Sequence, residues 1–295
     1  MSNPTLLYTI VDAFTSTPFS GNPASVIILP PAHHSLSADS LLQIAGEFNL
    51  SETAFLIPQP STSPGTLRYG LRWFTPTVEV PLCGHATLAS ARVIFSTPEG
   101  QQVDRLEFDT LSGILVAKKV PGGSGKIELD LPASELEEPT TAEELTLITG
   151  VVRDATRSGM GPWGIRKAGF FLLLEVDPQF DLEGAVMDAS LFSKLPYDAV
   201  ILTSSRPTPH RPSARFISRV FSPRSGIAED PVTGSAYCAL TPYWSDGLSI
   251  PPGVVIEARQ VSKRGGDLDL IWDQENGRVK IQGGAVVTMR GELYL

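Results

Sequence analysis

The sequence predicts an α+β protein built from two similar halves, each a strongly bent sheet with one helix buried against it. Three observations carry that expectation. The chain of 295 residues is long enough for two hydrophobic cores. Short apolar runs bounded by turn residues recur along it, and one patterned motif appears twice, half a chain length apart. Strand-like runs fall at 6–10, 24–29, 54–57, 67–74, 127–131, 170–176, 199–202, 215–221, 253–258, 267–272 and 279–281. They are rich in β-branched and aromatic residues, and 26 glycines and 25 prolines punctuate them. Four stretches have helical spacing instead. Residues 36–48 offer Ser37 as a cap and put Leu41, Ile44, Ala45 and Phe48 on one stripe. Residues 141–148 begin Thr-Ala-Glu-Glu, a first turn suited to the helix dipole. Residues 85–95 and 235–244 each follow a glycine-containing loop.

Those last two helices belong to the repeat. Arg68-Tyr69-x-x-Arg72-x-Phe74-Thr75-Pro76 is matched by Arg215-Phe216-x-x-Arg219-x-Phe221-Ser222-Pro223 at an offset of 147 (215 − 68). Glu79-x-Pro81-x-x-Gly84-x-Ala86 is matched by Glu229-x-Pro231-x-x-Gly234-x-Ala236 at an offset of 150 (229 − 79). Strand, Phe-Ser/Thr-Pro turn, Glu-x-Pro loop, glycine and helix follow in the same order both times, which is the pattern of a duplication.

The formal net charge is −9, and no basic stripe offers a footprint for phosphate backbones or anionic lipid, so neither nucleic acid nor membrane is an expected partner. Residues 1–14 lack the charged and apolar regions of a secretory signal, and no run approaches about 18 consecutive apolar residues, so the expected address is cytoplasmic. Cys83 and Cys238 are too few for a disulfide framework and read as thiols.

Several motif-like strings carry no chemistry. Gly159-x-Gly161-x-x-Gly164 imitates a dinucleotide fingerprint, but Pro162 and a following strand-like run make it a flexible loop. Gly125-Lys126 has Val120 where a phosphate-binding P-loop needs its first glycine, and no hydroxyl residue follows the lysine. No Gly-x-Ser-x-Gly elbow is present. His33, His34, His85 and His210 have no metal-ligand spacing with the cysteines, so neither a metal nor a cofactor is expected.

A helix that follows a glycine loop presents free backbone N–H groups and the positive end of its dipole, which suits a carboxylate. With two such ends, at Gly84 and Gly234, halves facing about a pseudo-twofold axis would aim both into one cleft, although the glycines also serve plain tight packing. His85 falls in the first helical turn, where the dipole is expected to lower its pKa and keep it neutral. Asp230 and Ser235 occupy the second mouth, with capping as their ordinary alternative role. Glu52, at the start of an apolar strand, taken alone is a solvated turn residue or a carboxylate tuned for proton transfer. Asp198 is a weak counterpart in the second half, at an offset of 146 (198 − 52).

Together these residues are recognisable. Asp12-Ala13-Phe14, Gly21-Asn22-Pro23, Ser51-Glu52-Thr53, Cys83-Gly84-His85-Ala86-Thr87-Leu88 and Glu229-Asp230-Pro231-Val232-Thr233-Gly234-Ser235-Ala236 resemble the PhzF-like phenazine biosynthesis family, as do Arg264-Gly265-Gly266 and Gly283-Gly284-Ala285. The resemblance implies a diaminopimelate-epimerase-like fold of two pseudo-symmetric domains, each a curved, mostly antiparallel sheet around a central helix. Because the last strand of that fold returns to the first domain, the expected domains are 1–118 with 283–295, and 119–282. It also implies a cofactor-independent isomerase, a homodimer, and a small carboxylate-bearing unsaturated substrate; the family prototype isomerises trans-2,3-dihydro-3-hydroxyanthranilate. Carried across by motif, Glu52 is the acid/base, His85 and Asp230 assist proton movement, and Asn22, Gly84, Gly234 and Ser235 bind substrate. Related racemases place one thiol at each helix mouth, but here Thr233 stands before Gly234 and Cys238 lies one turn further on. That disfavours a two-thiol stereoinversion and leaves Cys83 as a site-lining thiol. A racemase, an intramolecular cyclase or a non-catalytic binding module would use the same cleft.

Overall fold

The computed structural model describes residues 5–61, 63–139 and 141–295. The chain divides into two compact units, Met1–Leu131 with Lys280–Leu295, and Pro132–Val279. Among the described residues no helix is long and apolar enough to cross a membrane.

Unit 1 runs β1 (Thr5–Ala13), β2 (Asn22–Ile28), α1 (Ala38–Phe48), β3 (Glu52–Gln59), β4 (Thr66–Phe74), β5 (Glu79–Val80), α2 (Gly84–Phe95), α3 (Pro98–Gln101), β6 (Arg105–Thr110), β7 (Gly113–Lys119) and β8 (Ile127–Pro132). The chain's last strand, β17 (Ala285–Tyr294), returns to pair antiparallel with β1. The expected boundary at 118 falls inside β7, and the antiparallel β7–β8 hairpin carries unit 1 on to Leu131. Ser37 caps α1 by accepting from the Ser40 amide at 3.2 Å, and Leu41, Ile44 and Ala45 bury against Phe55 and Phe74 of the sheet. α2 touches β1, β2, β3, β7 and β17, so the sheet wraps around it. Ten of its twelve residues are buried, as a helix enclosed on all sides requires. Its buried Thr87 and Ser90 hydroxyls donate to the carbonyls of Cys83 and Ala86, at 2.5 and 2.7 Å, so they cost the core no orphaned donor.

Unit 2 runs α4 (Ala142–Thr156), β9 (Gly164–Ala168), β10 (Phe171–Glu175), β11 (Ala199–Ser204), β12 (Phe216–Ser222), β13 (Ile227–Asp230), a 3₁₀ turn (Gly234–Ala236), α5 (Tyr237–Gly247), β14 (Val255–Gln260) and β15 (Gly266–Asp273), and the chain passes back into unit 1 within β16 (Arg278–Gly283). Its core gathers Ile148, Val151, Val152 and Ala155 of α4 with Leu172, Leu174, Val200, Leu202, Ile217 and Phe221.

The two units repeat one succession of pairings. In unit 1, β1/β2 is antiparallel, β2/β3 parallel, β3/β4 and β4/β5 antiparallel, β4/β6 parallel and β6/β7 antiparallel. In unit 2, β9/β10, β10/β11, β11/β12, β12/β13, β12/β14 and β14/β15 follow the same series. The repeated sequence positions also form the same ion pair. Arg72 grips Glu79 with Nε and Nη2, both at 2.7 Å, and Arg219 grips Glu229 with the same two atoms at 2.7 and 2.8 Å. Each guanidinium also covers the phenylalanine two residues on, Phe74 at 5.0 Å and Phe221 at 5.2 Å.

Register corrects one sequence match. Thr53 pairs with Phe74 and Val200 pairs with Phe221, so the position equivalent to Glu52 is Ala199, and exposed Asp198 falls one residue short of it. Unit 2 has no second base there. The 3₁₀ turn before α5 likewise replaces part of the helix expected from Ser235, and Gly164 opens a strand rather than closing a loop.

Candidate active site

The path to the site begins at the β1–β2 loop. Phe14 takes the left-handed conformation (φ 61°) and is fully buried, while the Asp12 carboxylate accepts the Phe19 amide at 2.7 Å. Two glycines make that loop possible. Gly21 has φ +68° and a Cβ there would meet the Ala13 carbonyl oxygen at 2.1 Å; a Cβ on Gly284, at the start of β17, would meet that of Thr15 at 2.7 Å. The motifs Asp-Ala-Phe, Gly-Asn-Pro and Gly-Gly-Ala are therefore parts of one packed corner, and its product is a fully buried Asn22 at the head of β2.

β2 and β3 run parallel with Ala24 opposite Glu52, which places Glu52 as the first residue of β3. α2 starts close by: Cys83 is its N-cap, with extended backbone and no side-chain capping bond, and Gly84 and His85 begin the first turn. Its leading N–H groups are thus free of a side-chain cap, as the sequence pattern anticipated.

These elements bring Glu52, Cys83, His85 and Asn22 together around one imidazole. His85 Nε2 lies 3.1 Å from Glu52 Oε2. On the other side of the ring, Nδ1 lies 3.4 Å from Cys83 Sγ and 3.3 Å from the Asn22 amide nitrogen. Ser51 Oγ donates to Asn22 Oδ1 at 3.3 Å and fixes that amide. Although Nε2 and Oε2 are within ion-pair distance, they are not aligned for a hydrogen bond, and both atoms are buried with no other partner. Their remaining interaction is the charge-to-charge contact with each other.

Burial works against a charged imidazole, but the adjoining Cys83 and Glu52 side chains outweigh it and hold His85 well above 6.5. That direction is opposite to the lowering expected from the helix dipole, because Cys83 beside the ring and a carboxylate at 3.1 Å outweigh the partial charge of a helix end. Burial, followed by the neighbouring Glu52 charge, pushes the Cys83 thiol up, against the opposing pull of His85.

Glu52, Cys83 and His85 offer three metal-ligand atoms within 4.8 Å of one another. Nδ1 faces Cys83 while Nε2 faces Glu52, however, and one histidine gives one nitrogen to an ion. As placed, Cys83 and Glu52 therefore face opposite nitrogens of the ring.

At the mouth of the unit 2 helix, Asp230 ends β13 and its carboxylate accepts from the Thr233 hydroxyl. The Thr233 amide donates to Gln260 Oε1 at 2.9 Å, and Gln260 Nε2 donates to the Asp230 carbonyl at 2.7 Å. Gly234 is buried and Ser235 half-buried at the turn that leads into α5. Cys238 lies within α5, and burial raises its thiol to about 12, which is the behaviour of a core residue.

Sequence reasoning missed Gln260, whose fully buried amide clamps the Asp230–Thr233 loop. The signal was available, since it occupies an inward position of β14, where a polar side chain must find partners. It also left Cys83 without a task, and the geometry gives it one as the neighbour of Nδ1.

The pattern of phenazine biosynthesis-like proteins, PhzC-PhzF, matches residues 11–291. An uncharacterized isomerase of Halalkalibacterium halodurans is 38% identical over 287 residues, covering 97% of each chain. The crystal structure of a PhzF-family phenazine biosynthesis protein from Enterococcus faecalis superposes with a TM-score of 0.78 at 34% identity, covering 99% of this chain and 100% of that one. A probable proline racemase from Agrobacterium radiobacter K84 matches at 12% identity with a TM-score of 0.58, covering 98% of this chain and 93% of that one, a likeness of fold alone. The fold is α+β and diaminopimelate-epimerase-like, as the sequence led us to expect.

Proposed function

The chain belongs to the phenazine biosynthesis-like protein family, and from that premise we propose that it is a cofactor-independent isomerase in which Glu52 moves a proton within one small unsaturated carboxylate. The observation that carries this reading is the buried Glu52 Oε2 and His85 Nε2, 3.1 Å apart and both short of a hydrogen-bond partner. The likeness to a relative named an isomerase supports the reaction class.

Glu52, as carboxylate, takes a proton from an allylic C–H and leaves the electron pair in the substrate's π system; it then returns the same proton to another carbon of that system. Substrate and product have the same formula, and no electrons leave. His85 as imidazolium supports the carboxylate first and then donates from Nε2 toward the negative charge that develops when Glu52 is neutral. Nδ1 faces Cys83 Sγ, which can accept its proton, and this makes Cys83 a positioning group for the ring. The proposal extends to the free N–H groups at Gly84 and Gly234, with Asp230 and Ser235, as holders of the substrate's carboxylate and polar substituents. A single base favours proton relocation on one face over stereoinversion, since Ala199 is the equivalent of Glu52. A homodimer in the cytoplasm completes the reading, tested by light scattering and by fractionation.

The decisive experiment is solvent-deuterium exchange followed by NMR, with trans-2,3-dihydro-3-hydroxyanthranilate and related unsaturated amino acids as probes. Glu52→Gln should keep the melting temperature and lose about 10²–10⁴-fold in exchange, the usual worth of a positioned acid/base. Full exchange in Glu52→Gln would refute the assignment.

A further inference from the structure

We propose that unit 1 carries a second site, at the far end of α2 from His85, that binds a small phosphate-bearing anion. A cavity of about 490 Å³ is lined there by Arg92 and Phe95 of α2, Asp104, Lys119 at the end of β7, and the loop from Val120 to Lys126 that leads into β8.

The charges in this cavity do not cancel. Lys119 Nζ donates to the carbonyls of Gly100 and Gln101, each at 3.1 Å, and lies 3.6 Å from the exposed Asp104. Arg92 is different. It is half-buried, its Nε is fully buried with no hydrogen-bond partner, and among the described residues no carboxylate pairs with its guanidinium. A guanidinium cannot shed its charge, so an unpaired one in a concave wall calls for an external anion.

The loop supplies the second half of the argument. Gly122, Gly123 and Gly125 all have positive φ, at 90°, 74° and 69°, and a Cβ on any of them would meet nothing within 4 Å. The glycines therefore answer a need for backbone conformation, not for tight packing. Among the described residues, the amides of Gly122, Gly123, Ser124 and Gly125 have no intramolecular acceptor. Consecutive free amides beside a guanidinium fork match the several acceptor oxygens of a phosphate better than the two of a carboxylate. The loop is no P-loop, because a strand follows it; the cation comes from Arg92, a residue 33 positions before Gly125 (125 − 92). The site is distinct from the proposed proton-transfer groups, since neither Glu52 nor His85 is among its lining residues.

The test is isothermal titration with inorganic pyrophosphate at ionic strength fixed by sodium chloride, with citrate as the parallel probe. Saturable pyrophosphate binding is expected, weakened at least about tenfold in Arg92→Gln and unchanged in Glu52→Gln. Arg92→Lys keeps the charge but loses the fork, and should fall between the two; it decides the matter if Arg92→Gln melts early. Absence of saturable binding, equal binding in the Arg92 variants, or citrate binding as tight as pyrophosphate would overturn the proposal.

Discussion

The repeated arginine pair allows the same substitution to be made twice in one chain with different outcomes. Replacing Arg72 or Arg219 with methionine keeps most of the apolar stem and removes the fork. In unit 1 the pair is open to water: the Arg72 and Glu79 side chains are 37% and 23% exposed. Such a pair is screened and contributes about 0–1 kcal/mol, with the contact to Phe74 adding about 0.5 kcal/mol. In unit 2 Glu229 is exposed to the same degree, 22%, but Arg219 is only 11% exposed, and its Nη1 also donates to the carbonyls of Leu182 and Ala185 at 3.2 and 2.7 Å. Removing Arg219 leaves a poorly solvated carboxylate and two carbonyls without their donor, a loss of about 3–5 kcal/mol. At roughly 2–4 °C per kcal/mol for a unit of this size, Arg72→Met should lower Tm by less than about 6 °C and Arg219→Met by roughly 6–20 °C. Urea unfolding followed by tryptophan fluorescence reads mainly unit 2, where Trp163, Trp244 and Trp272 lie, against Trp73 in unit 1. Adding Glu229→Gln to Arg219→Met should restore part of the loss, because the orphaned charge is gone. Equal losses in the two single variants, or no recovery in the double, would refute the argument from burial.

The remaining predictions concern the site. His85 has a raised folded-state pKa, so its contribution to stability is full below about 6.5 and disappears as pH rises through the folded value. Wild-type protein should therefore lose stability relative to His85→Gln over that alkaline window, with the imidazole shift followed by NMR; a parallel pair of stability curves would contradict it. Both thiols are buried with raised pKa, Cys238 to about 12, so neither should react quickly with iodoacetamide at neutral pH until the chain unfolds. Fast labelling of Cys83 in the folded protein would show instead that it is a thiolate.

Much of the frame was legible because its signals are local. Ser37 and Thr141 are the caps of α1 and α4, and the glycine loops do precede the two central helices. What escaped did so for physical reasons. β6 reads Arg-Leu-Glu-Phe-Asp-Thr, where only Leu106 and Phe108 are buried and three charges dilute the alternation. α4 continues to Thr156 through Gly150 and paired valines, which have weak helical propensity; burial of Val151, Val152 and Ala155 in the unit 2 core overrides it. The direction of the His85 shift was not legible because one of the groups that raises it, Glu52, lies 33 positions earlier (85 − 52) and is positioned through the β2/β3 register.

The duplication separates framework from chemistry. Where both units need the same fold, the same residues recur: arginine on β4 and β12, phenylalanine two positions later, and the glutamate that each arginine grips. At the positions proposed to act on substrate, the copies differ. Glu52 corresponds to Ala199 by register, and Cys83 and His85 correspond by the motif to Thr233 and Ser235. A stereoinverting enzyme with a base on each face would need both copies to keep a proton acceptor, whereas relocation by one group needs only one. Unit 2 has replaced the thiol with a hydroxyl whose hydrogen bond goes to the adjacent Asp230, and that aspartate is further tied to Gln260 through its own carbonyl. Its mouth is thus braced by its own hydrogen bonds, while in unit 1 Glu52 Oε2 and His85 Nε2 have no hydrogen-bond partner. The division predicts how variants should differ: changes at Asp230 or Ser235 should act chiefly on substrate affinity, and changes at Glu52 chiefly on the rate of proton transfer.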